Sequence, residues 1–94
     1  MMVKKIPKIS VVMPVYNTGE ILRASIDSIL LQTFDNFELI MVDDGSADDT
    51  YSICEQYAAQ DGRIVLLHQE NKGVCAARNR GIEVSRGEYV TFCD

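Results

Sequence analysis

The sequence predicts an α/β domain, a Rossmann-like, doubly wound and mainly parallel sheet in the order β-α-β-α-β-α-β. Three observations predict it. Short β-branched runs alternate with longer segments of helical spacing. The short runs show little apolar–polar alternation, as strands buried on both faces do. Capping residues and glycines punctuate the segments at short intervals, and short right-handed crossovers give the double winding.

Each element follows from its residues. The first strand is Ile9-Ser10-Val11-Val12-Met13. A helix is expected over 20–32, where Leu22, Ile26, Ile29 and Leu30 recur at three- and four-residue steps. That spacing gathers them on one face and leaves Arg23, Asp27 and Ser28 outside. The second strand is Phe37-Glu38-Leu39-Ile40-Met41-Val42, with Glu38, like Glu20, read as a surface residue. A second helix is expected over 48–60, presenting Tyr51, Cys54, Tyr57 and Ala58. Ser46-Ala47-Asp48-Asp49 before it reads as a capping box with an acid at the last position. Asp48 and Asp49 also suit the positive end of a helix dipole, and Asp61-Gly62 ends the helix. The third strand is Ile64-Val65-Leu66-Leu67. A third helix over 74–84 carries Val74, Ala77 and Gly81 as a small-residue stripe for close packing, although Gly and Asn lower its propensity. Arg86-Gly87 ends it, and Tyr89-Val90-Thr91-Phe92 forms the fourth strand.

Composition narrows the function. The 94 residues carry nine Lys and Arg against fourteen Asp and Glu, a net charge of −5, with 47% hydrophobic and 24% charged residues. Ordinary globular proportions exclude a disordered tail, a collagen-like repeat and a disulfide scaffold. The acidic balance argues against a nucleic-acid partner, which needs a basic face. No apolar run approaches the ~18–20 residues of a membrane span. Met1-Met2-Val3-Lys4-Lys5 has a basic character, but the apolar stretch 9–15 behind it is short, contains Pro14 and lacks a cleavage site. The expected location is cytoplasmic. Cys54, Cys75 and Cys93 are odd in number and lack metal spacing. Cys54 and Cys93 are expected in the core, and Cys75 near a helix start.

In such sheets ligands bind outside the carboxyl ends of the strands. Four polar loops leave those ends: Pro14-Val15-Tyr16-Asn17-Thr18, Asp43-Asp44-Gly45-Ser46, His68-Gln69-Glu70-Asn71-Lys72-Gly73, and one beginning at Asp94. Adjacent side chains at a strand end point in opposite directions. Asp43 and Asp44 should therefore do different work. One could cap the following helix or meet a cation, and the other could accept a hydrogen bond from a ligand in the cleft. A plain turn with an N-cap is the competing reading. Arg78 and Arg80 lie on different helix faces. One could reach a phosphate, or pair in solvent with Glu83. Lys72 reads as an exposed loop charge, and His68 as a strand end rather than an acid–base group. There is no Gly-x-Gly-x-x-Gly after the first strand and no P-loop motif. Acids follow the second strand rather than the first, against a phosphoacceptor domain.

Five blocks together resemble one family. They are Ile9-Ser10-Val11-Val12-Met13-Pro14-Val15-Tyr16-Asn17, Ser28-Ile29-Leu30-Leu31-Gln32-Thr33-Phe34, Val42-Asp43-Asp44-Gly45-Ser46-Ala47-Asp48, Asn71-Lys72-Gly73-Val74-Cys75-Ala76-Ala77-Arg78-Asn79-Arg80-Gly81 and Gly87-Glu88-Tyr89-Val90-Thr91-Phe92-Cys93-Asp94. In this order and spacing the chain, over 8–94, resembles the family 2 glycosyltransferases with the GT-A fold.

The resemblance implies transfer of a sugar from a nucleotide-diphospho-sugar, with a UDP-sugar favoured, to a carbohydrate or lipid-linked acceptor, with inversion, in polysaccharide or cell-envelope synthesis. Pro14, Tyr16 and Asn17 match the loop lining the donor's base and ribose. Asp44 matches the acid that accepts a nucleobase N–H, and Asp43 its partner that organises the loop. Gly73 and Arg78 match the stretch near the ribose and diphosphate. Asp94 matches the first acid of an Asp-x-Asp motif that holds Mg or Mn against the phosphates, where a cation neutralises developing charge. The second acid and the catalytic base of that family fall beyond Asp94. The expectation is therefore one nucleotide-sugar-binding part, 1–94, truncated at the Asp-x-Asp motif, catalytically incomplete and prone to self-association through an exposed edge. The alternatives are a non-catalytic nucleotide-binding or assembly module of the same fold, and a sugar-phosphate nucleotidyltransferase. The last normally has a glycine-rich basic loop where Pro14 to Asn17 stand.

Overall fold

The computed structural model describes residues 6–93. Strands β1 (Ile9–Val15), β2 (Phe37–Asp44), β3 (Ile64–Gln69) and β4 (Tyr89–Phe92) alternate with helices α1 (Ile21–Leu30), α2 (Thr50–Gln60) and α3 (Val74–Val84). All pairings are parallel, in the order β3-β2-β1-β4. The chain thus winds outward from β1 through β2 to β3, then returns past β1 to place β4. The carboxyl end of β1 lies where that direction reverses.

The pleat divides the core in two. Met13, Val15, Leu39 and Met41 face α1 and α2, where they meet Leu22, Ile26, Ile53 and Cys54. Val12, Ile40 and Val42 face the other way, against Ala77 of α3. Every residue of β2 is buried, because β2 has a strand on each side and helices over both faces. Gly81 lets α3 come close. An added Cβ there would overlap Val12 Cγ1 and lie 3.1 Å from Val12 Cγ2.

Four expectations need correction. First, α1 stops at Leu30, and Gln32 instead donates its backbone N–H to Ile29 O in a tighter last turn. Second, no capping box forms. Asp49 at the N-cap of α2 makes no side-chain cap bond. Asp48 Oδ1 instead accepts the Thr50 N–H at 2.9 Å and the Thr50 hydroxyl, while the Ser46 hydroxyl accepts the Asn17 N–H. Third, β4 is exposed at all four residues, because among the described residues it stands at the sheet edge and pairs with β1 alone.

The fourth correction is Glu38, which is 2% exposed rather than a surface residue. Its Oε2 accepts the Ser10 hydroxyl at 2.6 Å and the Arg86 N–H at 2.7 Å. Its Oε1 accepts Arg86 Nε and Nη2 at 3.2 and 3.1 Å. Ser10 Oγ in turn accepts the Gly87 N–H at 2.8 Å. Burial pushes the Glu38 carboxyl up, but Ser10, the Arg86 N–H and the Arg86 guanidinium outweigh it and hold it below its ordinary value. This network fastens the α3–β4 turn to the amino ends of β1 and β2, at the opposite end of the sheet from the polar loops.

Candidate functional site

The loops at the carboxyl ends enclose a cleft of about 300 Å³. Pro14, Val15 and Tyr16 supply one wall from the end of β1. Asp44 stands at the end of β2, and Asn71, Gly73 and Val74 close the far side ahead of α3. Tyr16 is half-exposed and, like the apolar Pro14, Val15 and Val74, lines the cleft. The cleft therefore has the character of a small-molecule site, with mostly apolar walls, the polar Asn71 and one convergent charged group.

That group is Asp44, 5% exposed. Its Oδ1 accepts Gln69 Nε2 at 2.9 Å and the Lys72 N–H at 2.8 Å, and its Oδ2 accepts the Gly73 N–H at 2.9 Å. Burial pushes the carboxyl up, but these three donors outweigh it and hold Asp44 below the usual carboxylate range. It is an anion at neutral pH. A carboxylate has about four acceptor positions, so three internal donors leave Oδ2 able to take one more N–H or O–H from the cleft.

Asp43 points to the other face, among the residues that meet α2. Its Oδ2 accepts the Ser46 N–H at 3.3 Å and His68 Nδ1 at 2.8 Å. With its proton on Nδ1, the imidazole donates to this oxygen. Asn17, with φ of 49°, clasps the next loop. Its N–H donates to Ser46 Oγ at 3.0 Å, and its Oδ1 accepts the Ala47 N–H at 2.8 Å. Asn is one of the few residues other than Gly that adopts this left-handed conformation readily. Gly45 locks the third loop in place. Its φ is +73°, and a Cβ there would lie 2.8 Å from Asn71 N.

Of the residues expected at the site, Pro14, Tyr16, Asp44 and Gly73 line the cleft. Asn17 and Asp43 hold the loops that form it. Arg78 lies on α3, half-buried, with its guanidinium 5.9 Å from the centre of the Phe92 ring, and is not in the cleft wall. Asp94 lies outside the described residues. Among those residues, no group of three or more His, Cys, Asp or Glu side chains is placed to hold a metal ion. Sequence reasoning missed Val15, Asn71 and Val74 as wall residues and Gln69 and His68 as partners of the acids. The parallel register pairs Asp43 with His68 and Asp44 with Gln69, a match that needs the strand alignment and not the strands alone.

The model of the family described as glycosyl transferase family 2 matches residues 10–94. The chain belongs to that family. It is 53% identical over 87 residues to the glycosyltransferase GlyG of Streptococcus pneumoniae serotype 4, covering 92% of this chain and 29% of GlyG. Among solved structures it is similar to residues 1–349 of S. aureus TarS in complex with UDP-GlcNAc. The TM-score is 0.84 and the identity 32%, over 93% of this chain and 26% of that one. It is also similar to the mannosyltransferase PcManGT of Pyrobaculum calidifontis in complex with GDP-Man and Mn2+. There the TM-score is 0.75 and the identity 26%, over 84% of this chain and 24% of that one. The chain thus spans under a third of the length of these relatives.

Proposed function

We propose that the cleft binds the nucleotide of a sugar donor, and that the chain is the donor-binding part of a glycosyltransferase. The observation that carries this is Asp44, an ionised carboxylate in the cleft wall with one acceptor position left over. An imide N–H of a uracil satisfies that position. Tyr16 gives the base a face to stack on, and Pro14 and Val74 flank it. The GT-A neighbours were solved with UDP-GlcNAc and GDP-Man, and both bases present a ring N–H. UDP is favoured because a single N–H matches the single open position.

We infer that Mg or Mn serves with Asp94, from the motif Asp94 matches and the Mn2+ of the PcManGT complex. Such an ion would neutralise charge on the diphosphate. The described residues supply no ligand set of their own, and recognition of the base does not depend on one. Acceptor chemistry, a carbohydrate or lipid-linked hydroxyl, and inversion rest on the family resemblance. A cytoplasmic location, peripheral at the inner face of the membrane in the full protein, accords with the three free cysteines.

Self-association of the chain is part of the same proposal. Among the described residues, no strand lies beside the outer edge of β4. An apolar groove of about 350 Å³ next to it is lined by Val11, Ile29, Phe34, Phe37 and Phe92, among others. A second copy could pair there. Light scattering should give a mass that rises with concentration, and a constant monomer mass would contradict it.

Calorimetric titration with UDP and Mn2+ tests the donor site, with Asp44→Ala as the control. Binding that is lost in the variant is the expected result. Absence of binding by any nucleotide would overturn it in favour of an assembly module.

A further inference from the structure

Among the described residues, Asp43 carries the one buried side-chain polar atom without a hydrogen-bond partner. Its carboxylate is fully buried, and Oδ1 has no hydrogen-bond partner. Both bonds it makes fall on Oδ2, from the Ser46 N–H at 3.3 Å and from His68 Nδ1 at 2.8 Å. A buried carboxylate with few donors depends heavily on those it has, and the shorter bond is the one from His68. Asp43 and His68 are register partners on adjacent strands, so the sheet itself sets them opposite each other. Tyr51 of α2 packs edge-on against the imidazole, with ring centres 5.1 Å apart and planes at 69°.

The other end of this contact reaches the cleft. Ser46, which donates its N–H to Asp43, accepts the Asn17 N–H on its hydroxyl. Asn17 answers by accepting the Ala47 N–H. Asn17 directly follows Tyr16, a cleft wall residue. A continuous run of hydrogen bonds therefore leads from His68 through Asp43 and Ser46 to the backbone beside Tyr16. His68 itself does not line the cleft.

We propose that His68 is a positioning residue of the nucleotide cleft, setting through Asp43 and Ser46 the loop that carries Asn17 and Tyr16. The proposal rests on the reading of the cleft as a nucleotide site. Without the Nδ1–H donor, Asp43 is left with the Ser46 N–H alone. The turn at 46–47 must then shift to supply a second donor. That shift loosens its clasp on Asn17, and the Tyr16 ring loses its fixed place.

The test compares His68→Leu, which removes the donor at similar volume, with His68→Asn, whose side-chain amide nitrogen stands near the position of Nδ1. Two readouts are taken on each, backbone amide resonances and UDP affinity, well below the unfolding temperature. The Leu variant should move the Tyr16 and Asn17 resonances and weaken UDP binding about fivefold, the scale of one net hydrogen bond. The Asn variant should restore both, to within about twofold in affinity. A purely structural histidine would lower the unfolding midpoint of the Leu variant yet leave Tyr16, Asn17 and the affinity unmoved. That result would overturn the proposal. Failure of the unaltered chain to bind UDP would instead overturn the nucleotide reading, and the resonances would still decide whether His68 sets the loop.

Discussion

Replacing Glu38 by Ala removes the acceptor that joins β1, β2 and the α3–β4 turn. The Ser10 hydroxyl and the Arg86 N–H then lose a buried partner at 2.6 and 2.7 Å. The Arg86 side chain is 42% exposed, so its guanidinium turns to water at little cost. Two lost bonds to a charged acceptor, at about 1.5–3 kcal/mol each, are partly offset by relief of the carboxylate's desolvation, leaving a net loss of about 2–4 kcal/mol. Arg86→Ala keeps the backbone N–H and the Ser10 bond and removes only the two longer contacts. It should cost about 1 kcal/mol. Urea denaturation followed by circular dichroism measures both at pH 7. In a domain of this size the thermal midpoint should also fall by about 4–8 °C per kcal/mol. The sign of the pH effect is fixed as well. The folded value of Glu38 lies below its ordinary 4.5, so its stabilisation is whole above that pH and fades as pH falls through the folded value. Glu38→Gln should lack this acid-side loss. Equal costs for Arg86→Ala and Glu38→Ala, or an unchanged acid profile in the Gln variant, would refute the reasoning.

Gly45→Ala places a Cβ 2.8 Å from Asn71 N at a φ of +73°; it should destabilise the chain by about 1–3 kcal/mol and abolish UDP binding in calorimetry, because two cleft loops must separate. Gly81→Ala gains about 1 kcal/mol of helix propensity but drives a methyl into the buried Val12, costing about 1–3 kcal/mol. The net effect in urea melts should be destabilising, and Val12→Ala in the same chain should reverse its sign. Burial, with the charge of Asp43 adding to it, pushes the Cys54 thiol up to about 12. Mass spectrometry after brief iodoacetamide treatment should therefore find the exposed Cys75 alkylated and Cys54 untouched.

Most of the fold was legible because α1 carries its apolar residues at helical spacing and β2 is a short, nearly continuous apolar run of the kind a strand buried on both faces needs. Placing the loops after β1, β2 and β3 on one edge needed only the alternation of elements. The opposite orientations of Asp43 and Asp44 followed from the two-residue pleat. What stayed hidden depends on partners distant in sequence. Glu38 finds Ser10 and Arg86 at separations of 28 and 48 residues, and no local pattern announces them. A signal was present nonetheless: a lone acid inside an apolar run read as buried on both faces has to be a buried acid. His68 lies near the end of β3, as its position after Leu67 implies, but its bond to Asp43 requires the β2–β3 register. The exposure of β4 is a matter of edge position, invisible in Tyr89-Val90-Thr91-Phe92 itself.

Titration of UDP into the isotopically labelled chain, followed by backbone amide resonances, tests most directly whether the cleft takes a nucleoside diphosphate. The amides of Tyr16, Asp44, Gly73 and Val74 should shift together in a saturable way and stay still in Asp44→Ala. Shifts confined to the far end of the sheet around Arg63 and Arg86, or none at millimolar UDP, would contradict it.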